Sequence, residues 1–243
     1  MKPFVKHLET FLPYLEDLRQ RIYWSTIIFG IVFIGGFFSS AFVLKHFISF
    51  FDIKDVLIAT TSPFQFADLA VDIGFFFAII ITLPLVIFHL YSFLKPALTR
   101  TEKLWFTLSI PLSLLLFVCG FTYGFFILYY SFQLLAELNQ GLGIKNIWDI
   151  GTFLSQIFIT SSLLGIVFQF PLILSLGIKL SLINSDFLKQ KRRVALFIIF
   201  IIVSLLPPTD GLSLIAMALP LVVLYEATIL LNTNNKKHVW IRN

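Results

Sequence analysis

An all-α integral membrane protein is the fold class this sequence predicts, on three observations. Hydrophobic residues make up 58% of the 243 and charged residues only 13%, about half the charged share of an ordinary soluble domain. Stretches without Asp, Glu, Lys or Arg recur along the whole chain, most of them long enough to cross a bilayer core of about 30 Å. The basic residues gather in short clusters between those stretches, as they do in cytoplasmic loops. Together these predict six transmembrane helices in one domain, a curved, cup-like bundle with its last two helices short and both termini cytoplasmic.

The uncharged stretches cover residues 22–44, 73–94, 104–136, 150–178, 194–209 and 211–225. Allowing for flanks, the spans are expected at about 22–44, 70–94, 104–134, 150–178, 194–207 and 211–230, with cytoplasmic segments at 1–21 and 231–243. The first span is too long, and its charged flank too mixed in sign, for a cleavable signal peptide. The last two stretches reach only about 22 to 24 Å at 1.5 Å per residue, which predicts local thinning of the bilayer or support from neighbouring helices. Pro207 and Pro208 join them in a turn that ends in Thr209, Asp210 and Gly211, residues unsuited to continuing a helix.

Orientation follows from charge. Of the 18 Lys and Arg, all but Lys45, Lys54 and Lys145 fall on the side that holds both termini, so that side is expected to be cytoplasmic. The net charge of +5 is thereby read as topology, and no nucleic-acid partner is expected. Trp24, Trp105 and Trp148 fall at span ends, where indoles anchor at the interface. Among the outer loops, Ser62-Pro63-Phe64-Gln65 reads as an N-cap, a proline at N1 and a Gln at N3, predicting a helix from near Ser62 into the second span. The loop from Glu137 to Asp149 is rich in Gly and Asn and is expected to be an extended cap, with no soluble domain outside the membrane.

Chemistry-bearing residues are few. The single cysteine, Cys119, offers no disulfide, and no phosphate-binding glycine loop, metal-ligand cluster or Ser/His/Asp set is present. No enzymatic activity and no cofactor are expected. Prolines fall within spans at Pro84, Pro111, Pro171 and Pro220, where each removes a backbone hydrogen bond and favours a bend. Gln169 lies deep in the fourth span and is expected to face a polar concavity or another helix, because an amide in lipid is unsatisfied. Glu226 lies near a span end.

The remaining candidates sit on the cytoplasmic side. Asp17 can pair with Arg21 at i, i+4 and Glu16 with Arg19 at i, i+3, on a helix whose Leu15, Leu18 and Ile22 form an apolar side. On spacing alone these charges suit a solvated interfacial helix, each pair contributing a few tenths of a kcal/mol. Glu102, in the turn between the second and third spans, reads alone as an exposed loop carboxylate.

Taken together, the segments resemble TatC, the multispanning core of the twin-arginine protein translocase. Leu15-Glu16-Asp17-Leu18-Arg19-Gln20-Arg21 resembles the family's N-terminal His-Leu-x-Glu-Leu-Arg-x-Arg, and Ser62-Pro63 its Ser-Pro before span two. Phe93 to Leu98, followed by Glu102-Lys103, is similar to Phe-x-x-Pro-Ala-Leu-x-x-x-Glu-[Lys/Arg]. Phe168-Gln169-Phe170-Pro171 resembles Phe-Glu-x-Pro, and Pro207 to Asp210 with Ala218-Leu219-Pro220 and Tyr225-Glu226 resembles the last hairpin.

The resemblance implies a receptor for twin-arginine signal peptides on folded precursors, working in the cytoplasmic (inner) membrane on the proton-motive force with TatA-type and TatB-type single-span partners and with self-association. It puts the signal-binding carboxylates at Asp17 and Glu102, with Phe93, Arg19 and Glu16 beside them; Glu9 and Glu16 are the other acids of the segment open to that role. Gln169, Glu226 and Asp210 become intramembrane polar or partner contacts, and Pro84, Pro171 and Pro220 the helix kinks. Departures are specific: Tyr14 stands for His, Asp17 for Glu, Gln169 for an acid, and Leu214 for a Gln that often contacts TatB. From the residues alone, a small-solute transporter or channel built on kinked helices is the alternative.

Overall fold

Lipid leaves the backbone no partner but itself, and long apolar stretches therefore become helices. The structure is a computed structural model that describes residues 2–50, 56–94, 99–179, 183–207 and 211–233. Its elements run α1 (Lys2–Phe50), β1 (Val56–Ala59), α2 (Gln65–Leu94), α3 (Arg100–Gly141), β2 (Asn146–Asp149), α4 (Ile150–Val167), α5 (Phe170–Lys179), α6 (Ser185–Gln190), α7 (Arg192–Ser204) and α8 (Gly211–Thr233). Among the described residues, five segments are long and apolar enough to cross a membrane: Arg19–Ile48, Gln65–Leu90, Lys103–Gly141, the combined α4–α5 segment Ile150–Lys179, and Gly211–Asn232. The remaining expected span, the fifth, corresponds to α7, whose 13 residues rise only about 20 Å.

Several boundaries differ from those expected. The charged N-terminal segment is not a separate interfacial helix but runs without interruption into the first span as one 49-residue helix. Of the two final helices expected to be short, only α7 is; α8 has 23 residues, because Glu226 is ion-paired within the fold and does not end the helix. Likewise α3 runs through Glu137 to Gly141, where Gly143 at φ 74° closes it. There Ile144 N–H bonds to Asn139 O and Gly143 N–H to Gln140 O, both at 2.9 Å, the paired arrangement that a left-handed residue after a helix permits. Regular helix in α2 begins at Gln65 rather than near Ser62, although Ser62 Oγ does accept from Phe64 N–H at 3.3 Å.

The α1–α2 and α3–α4 connections also contain structure that charge patterning does not reveal. β1 and β2 pair in parallel with Val56 opposite Asn146 and Ala59 opposite Asp149. Asp149 then caps α4, accepting from Thr152 N–H at 2.8 Å.

The combined α4–α5 segment is the most enclosed, with 67% of its apolar stretch buried inside the chain against 17% for that of α1. Membrane helices gain their packing from close backbone approach rather than from water exclusion. Two crossings achieve it. A Cβ on Gly36 of α1 would stand 3.0 Å from Gly74 Cα of α2, and one on Gly165 of α4 would stand 3.0 Å from Phe117 O of α3. Around these crossings Phe158, Leu164, Ile157 and Leu128 are fully enclosed.

Candidate functional site

The first carboxylate of the expected site is half-buried at the charged end of α1. Four residues along the same helix face, Arg21 Nε donates to Asp17 Oδ2 at 2.9 Å; the side chains are 20% and 44% exposed respectively. The i, i+4 spacing therefore forms the pair it predicts. Arg21 also reaches another element, its Nη1 donating to the main-chain oxygen of His89 on α2 at 3.3 Å. A single guanidinium thus ties the Asp17 carboxylate to α2.

Beside this pair opens a groove of about 400 Å³ between α1 and α2. Its walls are mainly apolar, with Ile22, Phe29, Val86 and Leu90 among them, and its charged end holds Arg21 and Phe93. Thr82 Oγ1 and His89 Nε2, both buried and without hydrogen-bond partners, belong to residues lining it. Phe93 and Arg21, the partner of Asp17, are separated by the whole of the first two spans and yet line one groove.

The other expected residues divide. Glu16 and Arg19 are exposed on α1, and no ion pair joins them among the described residues. Glu102 lies in the first turn of α3, with its side chain outside the described residues, and Asp210 lies outside them altogether. Gln169 is 4% exposed and occupies the break between α4 and α5. Its Nε2 donates to Ser113 O of α3 at 3.1 Å and to Gly165 O at 3.3 Å, so the amide satisfies a carbonyl at the broken helix end and ties the break to α3. Pro171 sits just beyond that break, in the first turn of α5.

Pro84 and Pro220 lie inside continuous helices. A proline leaves the carbonyl four residues before it unbonded within the helix; for Pro220 that is Ala216 O, which accepts from Tyr123 OH at 2.8 Å. Glu226 pairs with Arg192 of α7 at 2.9 Å, and the adjacent Tyr225, 1% exposed, donates to Leu188 O at 2.8 Å. Leu214 packs against the core.

Residue patterning missed two features. His89 gave no signal because its role here is carried by its main-chain oxygen, which every residue has. Asp149 enters the sequence reading only as the end of a loop, yet it joins the α1–α2 and α3–α4 connections, accepting from Thr152, Thr61 and Gln65. These bonds, led by the one from Thr152 N–H, hold its carboxyl well below the usual carboxylate range.

The class is thus a polytopic α-helical membrane protein with an acid–arginine pair at the mouth of an apolar groove. No group of three or more His, Cys, Asp and Glu able to hold a metal ion occurs among the described residues. The chain belongs to the TatC family, "Sec-independent protein translocase protein (TatC)", whose pattern matches residues 13–220.

The Sec-independent protein translocase protein TatC of Listeria innocua is 30% identical over 90% of this chain and 89% of its own. TatCy of Bacillus subtilis is 26% identical over 91% and 87% respectively. A crystal structure of the twin-arginine translocase receptor TatC in DDM superposes with a TM-score of 0.79 at 27% identity, covering 90% of this chain and 99% of that one.

Proposed function

We propose that this chain is the signal-receiving core subunit of a twin-arginine translocase. Family membership supports the translocase role, and one local observation carries the receptor role: Asp17 is half-buried and held by an arginine at the mouth of an apolar groove. A carboxylate so placed accepts a guanidinium in charge-assisted hydrogen bonds worth about 1.5 to 3 kcal/mol each when partly desolvated. Glu102, at the start of the third span, supplies the second carboxylate, and Phe93, Arg19 and Glu16 frame the site. The groove beside Phe93 takes apolar residues of the signal.

In this reading the six spans form a cup in the inner membrane with both termini in the cytoplasm. TatA-type and TatB-type subunits and further copies of the chain pack on the outer helices, near spans four to six, and the proton-motive force drives transport through the assembly. Gln169 serves inside the chain, tying the α4–α5 break to α3, while Glu226 and Asp210 are left as the polar contacts of the final hairpin.

The decisive experiment is crosslinking of a twin-arginine signal peptide to the wild type, Asp17→Ala and Glu102→Ala, each confirmed as membrane-inserted. Binding is expected to fall at least about tenfold in either variant, the loss of one charge-assisted hydrogen bond. Undiminished crosslinking to both variants would overturn the assignment.

A further inference from the structure

Arg21 occupies the very oxygen that an incoming arginine needs. Its Nε holds Asp17 Oδ2 at 2.9 Å, while Asp17 Oδ1 takes no hydrogen bond among the described residues. A guanidinium binds a carboxylate best through two parallel bonds, one to each oxygen. Only half of that geometry is open, and completing it requires Arg21 to leave. The side chain has somewhere to stay as it does so, because Nη1 already contacts His89 O at 3.3 Å on the neighbouring helix.

From this geometry we infer that Arg21 is an internal competitor for the signal site, an arginine of the receptor standing where an arginine of the ligand will bind. The inference rests on Asp17 being a signal-binding carboxylate, as assigned above. Exchange of one guanidinium for another spares the site two costs. Asp17 is never left half-buried without a partner, and it is already oriented and partly stripped of water when the ligand arrives. The consequence is an affinity set below the maximum the carboxylate could give, which suits a receptor that must release its cargo.

The competing structural role makes the opposite prediction. If Arg21 merely positions Asp17, its removal weakens binding. If it competes, its removal strengthens binding.

The test measures affinity of a fluorescent twin-arginine signal peptide, with a twin-lysine peptide as control, for the purified full chain in lipid nanodiscs. Arg21→Gln is expected to bind the twin-arginine peptide about two- to tenfold more tightly, the lower figure being that of an exposed i, i+4 pair. Arg21→Lys, which keeps the charge but loses the fork, should fall between wild type and Arg21→Gln, and it covers the case in which the glutamine variant fails to fold. In an Asp17→Asn background, Arg21→Gln should produce no tightening. Unchanged or weaker binding by a folded Arg21→Gln variant, or tightening that persists without the Asp17 carboxylate, overturns the inference. A wild type that does not distinguish the two peptides would instead overturn the assignment of the signal site itself.

Discussion

Asp149 concentrates more interactions than any described acid of the expected site, and its consequences are those of one carboxylate. It caps α4 through Thr152 and binds Thr61 and Gln65 at the start of α2. Because these bonds require the ionised form, its carboxyl titrates below the ordinary value near 4. The sign follows: the group's contribution to stability is fully present above about pH 4 and is lost as pH falls from there toward its depressed folded value. Thermal melting in detergent between pH 7 and pH 3 should show an acid destabilisation that is smaller in Asp149→Asn. Equal acid sensitivity in both proteins would remove Asp149 from the account. Residue spacing found the Asp17–Arg21 pair because helix geometry dictates it, but could not find Asp149's partners, which depend on where two outer loops meet.

Helix–helix contacts define the next scale. At Gly165 an added Cβ meets Phe117 Cδ2 at 2.9 Å and Phe117 O at 3.0 Å, and the main-chain atom cannot rotate away. Gly165→Leu should therefore cost about 3 kcal/mol or more through overpacking, seen as a lowered melting temperature. A melting temperature equal to wild type would show that α3 and α4 can separate without loss. Tyr123→Phe tests the contact at Pro220 by removing the donor to Ala216 O, with an expected cost of about 0.6 to 1.7 kcal/mol. A Pro220→Ala background should reduce that cost, since Ala216 O then regains its own helical partner.

Proline positions were legible in the sequence, but what each does was not. Of the three called as kinks, the helix is interrupted beside Pro171 and assigned as continuous through Pro84 and Pro220. The difference at Pro171 includes Gln169, whose amide supplies a donor to the broken end. Similarly, charge marks where a chain leaves lipid and not where a helix stops, which is why α3 overruns Glu137 and α8 overruns Glu226.

Taken whole, the molecule is uneven in height. α3 has 42 residues and rises about 63 Å, whereas α7 has 13 and rises about 20 Å. Against a hydrocarbon core of about 30 Å, α7 falls short by roughly a third. The bilayer beside α7 is expected to thin, bringing water close to its C-terminal end. In a Cys119→Ser background, a cysteine placed at the exposed Leu205 should react with a membrane-impermeant maleimide, while native Cys119 within α3 should not. Protection of both positions alike would argue for a bilayer of normal thickness there. The shortness of α7 was legible from the uncharged stretch alone, because lipid imposes length directly on apolar sequence. The arrangement of the spans was not, since the glycines that set the crossings at Gly36 and Gly165 look like any others until their neighbours are known.

The parallel pairing of β1 with β2 also bears on how the protein is made. Val56 precedes α2 and Asn146 follows α3, so both of these helices must be made before the two strands can pair. During synthesis β1 waits, its hydrogen-bonding groups held by water, while α2 and α3 are built. Capping of α4 by Asp149 comes later still, with the same segment. Closure of this cap thus cannot precede synthesis of the first three membrane helices.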